Sequence, residues 1–265
     1  MHSYVGGSGK EMLREERYRQ IEKDIELNLI VRVSDLAKKL NVTEMTIRRD
    51  LRDLEERGML VRVHGGARKK QVNDYNELSH RQKKMINVEQ KRSIAKHCAD
   101  LIQDKDIVFI GPGTTAGFIY EFLNEGHYEH IDIVTNSVSV FEQFKNSFPR
   151  FEIILVGGRY RSRTETFVGY FTNKMLRDFK VNKAFIGTNG IINTSITTAN
   201  EEEGNAQKII LDRANETYIL ADSTKFGIEA FHKLYDVREI TAIITDSSID
   251  PQLASYYEEF IRVIK

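Results

Sequence analysis

The chain has 265 residues, 39 Lys or Arg balanced by 39 Asp or Glu, and one cysteine, Cys98. The length predicts two folding units of unequal size, the lone cysteine excludes an internal disulfide, and no apolar run approaches the roughly 18 residues a membrane helix needs, so a cytoplasmic protein is expected. The zero net charge hides an asymmetry: residues 11 to 70 hold fifteen basic and twelve acidic side chains, and residues 71 to 265 hold 23 and 27, which places a polyanion-binding surface in the front quarter.

The first ten residues, "MHSYVGGSGK", lack the apolar centre of a signal peptide and read as a flexible leader outside the fold. From about Arg14 to Leu27, Tyr18, Ile21 and Ile25 fall at helical intervals and predict a helix with one apolar face. "LIVRV" reads as a short strand. Ser34 is the expected N-cap of a helix over "DLAKKL", Thr43 that of a helix over "EMTIRRDLRDLEER", and Gly58 closes the second. Ile47, Leu51 and Leu54 recur at i, i+4 and i+7 and are assigned to the core. Met45, Arg49, Arg52 and Glu56 then point roughly the other way, with Arg48 on a flank.

Two short helices joined by "NV" form a helix-turn-helix, whose second helix enters the major groove by its N-terminal part. "MLVRVHGGARK" follows as a β-hairpin wing with its turn at His64 to Gly66, and Lys69 or Lys70 is expected at the phosphate backbone. Taken singly, Arg48, Arg49 and Arg52 are as well explained as the solvated side of a helix. The succession of helix, strand, helix, turn, arginine-bearing helix and basic glycine hairpin favours DNA. At these residues the sequence resembles the DeoR family of bacterial transcription regulators, whose winged helix-turn-helix carries a pattern like V-T-x-x-T-I-R-R-D-L-x-x-L-E-x-x-G-x-[LI]-x-R-x-H-G-G-A. The resemblance implies that Thr46, Arg48 and Arg49 belong to the DNA-reading helix and Arg62, His64 and Gly65 to the wing; Thr43, Met45 and Arg52 of the same helix region are expected at the DNA with them.

The organisation expected is a leader over 1–10, a DNA-binding domain over 11–70, a polar linker over 71–82 and an effector domain over 83–265. In the last, helical stretches alternate with apolar, β-branched runs: "IVFIG", "IDIVTN", "FEIILVGG", "KAFIGTNG", "TYILADS" and "TAIITD". The alternation predicts an α/β fold with a mainly parallel sheet, in which ligands gather beyond the carboxyl ends of strands. "GPGTTAG" supplies Gly113, Thr114 and Thr115, whose backbone N–H groups and hydroxyls suit an anion, although tight turns explain most such loops. It lacks the lysine of a nucleotide-binding P-loop. "TNS" with Thr135 and Asn136, "GGRYR" with Gly158 and Arg159, and "GTNG" with Asn189 also end strands. "ADSTKFG" offers either a cap at Asp222 with a solvent lysine, or a ligand site in which Lys225 meets a phosphate and Asp222 accepts sugar hydroxyls.

This part resembles the C-terminal effector domain of the DeoR family, similar in fold to ribose-phosphate isomerases and glucosamine-phosphate deaminases, and the resemblance decides for the ligand site. "YRSRTETFVG" and "ITTANEEEGNAQKIILDRA" look most like the lactose phosphotransferase repressors of that family. The match implies that Lys83, Lys91, Asp222 and Lys225 respond to a phosphorylated sugar such as tagatose 6-phosphate. The expected function is therefore a repressor that binds double-stranded operator DNA as a homo-oligomer, dimer or tetramer, and is released by a phosphosugar; no cofactor is expected.

The alternative is a sugar-phosphate isomerase or deaminase carrying a DNA-binding domain. It needs a base near the substrate carbon, for which Glu165, Glu201 to Glu203 and Asp222 are available, but no catalytic constellation is recognisable. Glu201 is equally suited to binding sugar hydroxyls. The seven histidines show no HxxxH spacing and no metal site is expected, and Cys98 reads as a buried small hydrophobe.

Overall fold

The structure is a computed structural model and describes residues 13–28, 30–63, 65–69, 78–149 and 151–265. The expected leader, His64 and Lys70 thus lie outside the described residues. The chain divides into two compact units, 1–72 and 73–265.

In the first unit, helix Arg14–Asn28 buries Tyr18, Ile21 and Ile25, at 2%, 0% and 3% exposure. The helix expected to begin after Ser34 runs over Val33–Leu40, with Arg32 at its N-cap and no side-chain cap. Its first N–H is satisfied from elsewhere in the unit: Val33 donates to the Gly65 carbonyl at 2.8 Å, which removes the need for a serine cap. Thr43 does cap the next helix, Glu44–Glu56, its Oγ1 accepting from Thr46 N at 3.2 Å. Gly58, at φ 74°, ends it in a Schellman turn: Gly58 N donates to Glu55 O and Met59 N to Leu54 O.

Ile47, Leu51 and Leu54 are fully buried, and so is Asp50, held by Arg17 at 2.8 Å. The hairpin pairs Leu60–Val63 with Gly66–Lys69, and the second of these strands also pairs with Ile30–Arg32. Close approach dictates glycine at 66, where a Cβ would lie 2.0 Å from the Val31 carbonyl oxygen.

The second unit is built on a seven-stranded sheet in which every pairing is parallel. Its order is Arg262–Ile264, Ala242–Ile244, Ala214–Leu220, Val181–Gly187, Ile107–Ile110, Asp132–Thr135, Glu152–Leu155. Strand residues alternate between two apolar layers: Val108, Ile110, Phe185 and Tyr218 join one, Phe109, Ala184, Ile186 and Ile219 the other. Helix Val88–Leu101 covers the first layer with Ile94, Ala95 and buried Cys98, and helices Glu201–Leu211 and Pro251–Glu258 cover the second. The chain starts at Ile107–Ile110, builds outward through two strands, and returns on the other side at Val181–Gly187. This reversal is a topological switch point, where open α/β sheets place their ligand crevice.

Part of the stretch expected as linker is helical. His80–Lys84 is a short helix whose capping box pairs Ser79 with Gln82. Among the described residues no helix is long and apolar enough to cross a membrane.

Candidate functional site

On the first unit, Met45, Arg49 and Arg52 stand at i, i+4 and i+7 of helix Glu44–Glu56, on one exposed face. Met45 is 73% exposed, as expected of a side chain that meets another molecule rather than a core. Neither Arg49 nor Arg52 has an ion pair among the described residues, whereas Arg48 is held by Glu44 at 3.2 Å. Thr43 and Thr46 are joined through their hydroxyls at 2.9 Å, so they set the helix start as well as facing outward. On the wing, Arg62 is exposed with its guanidinium 3.9 Å from Glu55, and exposed Gly65 has φ 75°.

On the second unit a cleft of about 290 Å³ opens over the switch point. Its floor is made by the carboxyl ends of three neighbouring strands: Pro112 to Thr115, Gly187 to Asn189, and Asp222 to Lys225. Gly113, at φ 148°, turns the chain where other residues would be strained. The Thr114 and Thr115 side chains line the cleft without a hydrogen bond among the described residues. The three lysines come from different places: Lys83 from helix His80–Lys84, Lys91 from helix Val88–Leu101, and Lys225 from the turn after Ala214–Leu220. Lys91, 4% exposed, donates its ammonium to the Lys83 carbonyl. Burial lowers Lys91 to about 8, with Lys225 and Lys83 adding to the effect and Asp222 opposing it.

Asp222 makes the cap expected of it and also lines the cleft. Its Oδ1 accepts from Thr224 N at 3.1 Å, capping the turn that carries Lys225, and from Asn87 Nδ2 at 3.2 Å; it also faces the cleft. Asn87 adopts φ 51°, an unusual conformation for a non-glycine residue, and its amide thereby ties the start of helix Val88–Leu101 to the Asp222 turn.

Of the expected effector residues, Lys83, Lys91, Gly113, Thr114, Thr115, Asn189, Asp222 and Lys225 line the cleft, and five others do not. Thr135 and Asn136 follow a strand one place beyond the switch point and are held by the fold itself. Thr135 Oγ1 accepts from Ser137 N at 3.1 Å, and Asn136 donates to Phe167 O at 2.8 Å. Gly158 and Arg159 follow the edge strand Glu152–Leu155; Gly158 is packed on Thr172, and exposed Arg159 pairs with Glu202. Glu201 is exposed because the helical phase turns the third acid of "EEE", Glu203, inward at 7% exposure.

Sequence reasoning missed His80, Thr188 and Gln207 and considered Glu203 only as a base for the isomerase alternative; all four line the cleft. His80 sits 3.2 Å from Ser139 and 3.5 Å from Glu165. Burial holds its pKa below the usual histidine value, assisted by Lys84, Lys83 and Lys91 and opposed by Glu165. The heptad-like phase of Glu203 and Gln207 was the available signal for the far wall.

A winged helix-turn-helix followed by a separate parallel sheet with a cationic crevice at its switch point is the architecture of a transcription regulator with a sensor domain. Residues 86–247 match the DeoR C-terminal sensor domain and residues 17–71 the DeoR-like helix-turn-helix domain. The chain belongs to the DeoR family. It is 38% identical over 254 residues to the lactose phosphotransferase system repressor of Staphylococcus epidermidis, covering 96% of this chain and 100% of that protein. It is also 38% identical over 253 residues to the repressor of the same name from Streptococcus mutans, covering 94% and 100%. Among solved structures, ribose 5-phosphate isomerase A of Methanocaldococcus jannaschii matches with a TM-score of 0.39 at 20% identity, over 53% of this chain and 55% of that one.

Proposed function

We propose that the protein represses a sugar-utilisation operon of the lactose phosphotransferase type and leaves its operator when a phosphorylated sugar, with tagatose 6-phosphate the leading candidate, occupies the cleft. The observation that carries this reading is that Lys83, Lys91 and Lys225 line, together with the Gly113 to Thr115 turn, one crevice of about 290 Å³. Three ammonium groups and free hydroxyls suit a phosphate dianion, and Asp222 beside them suits sugar hydroxyls. The carboxylates do not favour the isomerase alternative: Glu203 is engaged by Arg161 at 2.9 Å, and Glu165 lies against His80. One winged unit covers one half-site, so the repressor acts as a dimer or tetramer on a symmetric operator.

A thermal-shift comparison tests the effector. Tagatose 6-phosphate should raise the melting temperature, by the equivalent of about 2.7 kcal/mol at a hundredfold excess over its Kd, and tagatose should not. An equal response to both sugars, or to neither, contradicts the reading.

A further inference from the structure

The cleft lining is of two chemical kinds. Besides the lysines it includes helix Glu201–Leu211, from which Glu203 and Gln207, four residues apart, present adjoining side chains on one face. Several polar groups that line the same cleft are already engaged. Glu203 accepts from Arg161 and from the Thr164 hydroxyl. Asn189 Oδ1 accepts from Ala199 N at 3.1 Å and Thr198 Oγ1 at 3.3 Å, and the Thr188 hydroxyl lies 2.7 Å from Thr197 O. Gln207 differs. It is 5% exposed, its carboxamide makes no hydrogen bond among the described residues, and its Oε1 is a fully buried acceptor without a partner. An amide in that state destabilises the fold unless something completes it.

We propose that Gln207 is the residue that reads the sugar end of the effector, a role that rests on the phosphosugar reading above. The chemistry follows from what each part of such a ligand can offer. A carboxamide both donates and accepts, and so does a sugar hydroxyl, so adjacent hydroxyl or carbonyl oxygens can satisfy both ends of Gln207 at once. A phosphate monoester dianion only accepts, and it is drawn to the lysines. Phosphate therefore supplies affinity through charge, and Gln207 supplies discrimination, because a site built to hydrogen-bond a hydroxyl loses binding steeply when that bond is not made. To use both ends, the amide turns about its last side-chain bond and brings Oε1 from its buried position to the cleft.

The test is calorimetry on the full chain with inorganic phosphate and with a panel of tagatose, fructose, galactose and glucose 6-phosphates, comparing wild type with Gln207→Met, which keeps the side-chain length and removes the amide. The expected result is an unchanged or raised melting temperature without ligand, phosphate affinity within about twofold of wild type, and a loss of roughly 10- to 100-fold for the tightest phosphosugar. Gln207→Leu is the second variant, read by the same ratio of the two affinities. Unchanged phosphosugar binding in a variant, or an equal loss for phosphate and phosphosugar, overturns the assignment while leaving the phosphosugar reading in place. A wild-type protein that holds no phosphosugar more tightly than phosphate overturns both.

Discussion

Lys91 shows how one buried side chain would register the proposed phosphosugar. Burial holds it at about 8, and a phosphate dianion beside it would raise it back toward the ordinary lysine value of 10.5. Between those values the free protein has lost the proton that the complex keeps, so binding takes up a proton and affinity falls as the pH climbs through the window. The same group makes the unfolded chain the better proton binder there, so its contribution to the stability of the free protein rises with pH across that range. Titrations at about pH 9 in two buffers of different ionisation heat should show proton uptake in wild type and none in Lys91→Arg; absence of uptake in wild type would separate Lys91 from the phosphate. On the DNA side, Arg49→Ala should weaken operator binding by about 1 to 3 kcal/mol with little effect on unrelated duplexes. Competition with a scrambled duplex checks this, and an equal loss on both DNAs would make Arg49 a backbone contact.

At the scale of elements, what could be read from the sequence depended on whether the determinant is local. Ile47, Leu51 and Leu54 declare their face by spacing alone, Thr43 and Gly58 mark helix ends by their own chemistry, and six strands announce themselves as β-branched runs. Ser34 misled because the helix starts earlier, at Val33, whose N–H is held by the Gly65 carbonyl more than thirty residues away in sequence, so Ser34 lies inside the first turn. The strand Arg262–Ile264 escaped because it is three residues long and lies at the sheet edge. The cleft was legible where residues directly follow central strands, as with Gly113 and Lys225. It was illegible where sheet order decides, as with Thr135 and Gly158, or where helical phase picks Glu203 over Glu201 and turns Gln207 inward. Gly66 gives a test at this scale. Gly66→Ala drives a methyl against the Val31 carbonyl, so the variant should lose operator binding and melt earlier in the winged unit while binding tagatose 6-phosphate normally. Wild-type DNA affinity in this variant would show that the sheet can shift to admit the methyl.

For the whole molecule, the residues proposed to read DNA and those proposed to bind the effector belong to different units of the chain, so under that proposal a ligand acts through its differential affinity for states that hold DNA well or poorly. Helix His80–Lys84 is suited to report that difference, since His80 and Lys83 line the cleft and the helix is the first described one after the winged unit. The most direct measurement is fluorescence anisotropy of an operator duplex, selected by the protein from random sequence, titrated with tagatose 6-phosphate for wild type and Lys225→Ala. Both proteins should bind the duplex within about twofold of each other, wild type should leave it as the phosphosugar is added, and Lys225→Ala should remain bound at the concentration that releases wild type. Release of Lys225→Ala at the wild-type concentration would contradict the account.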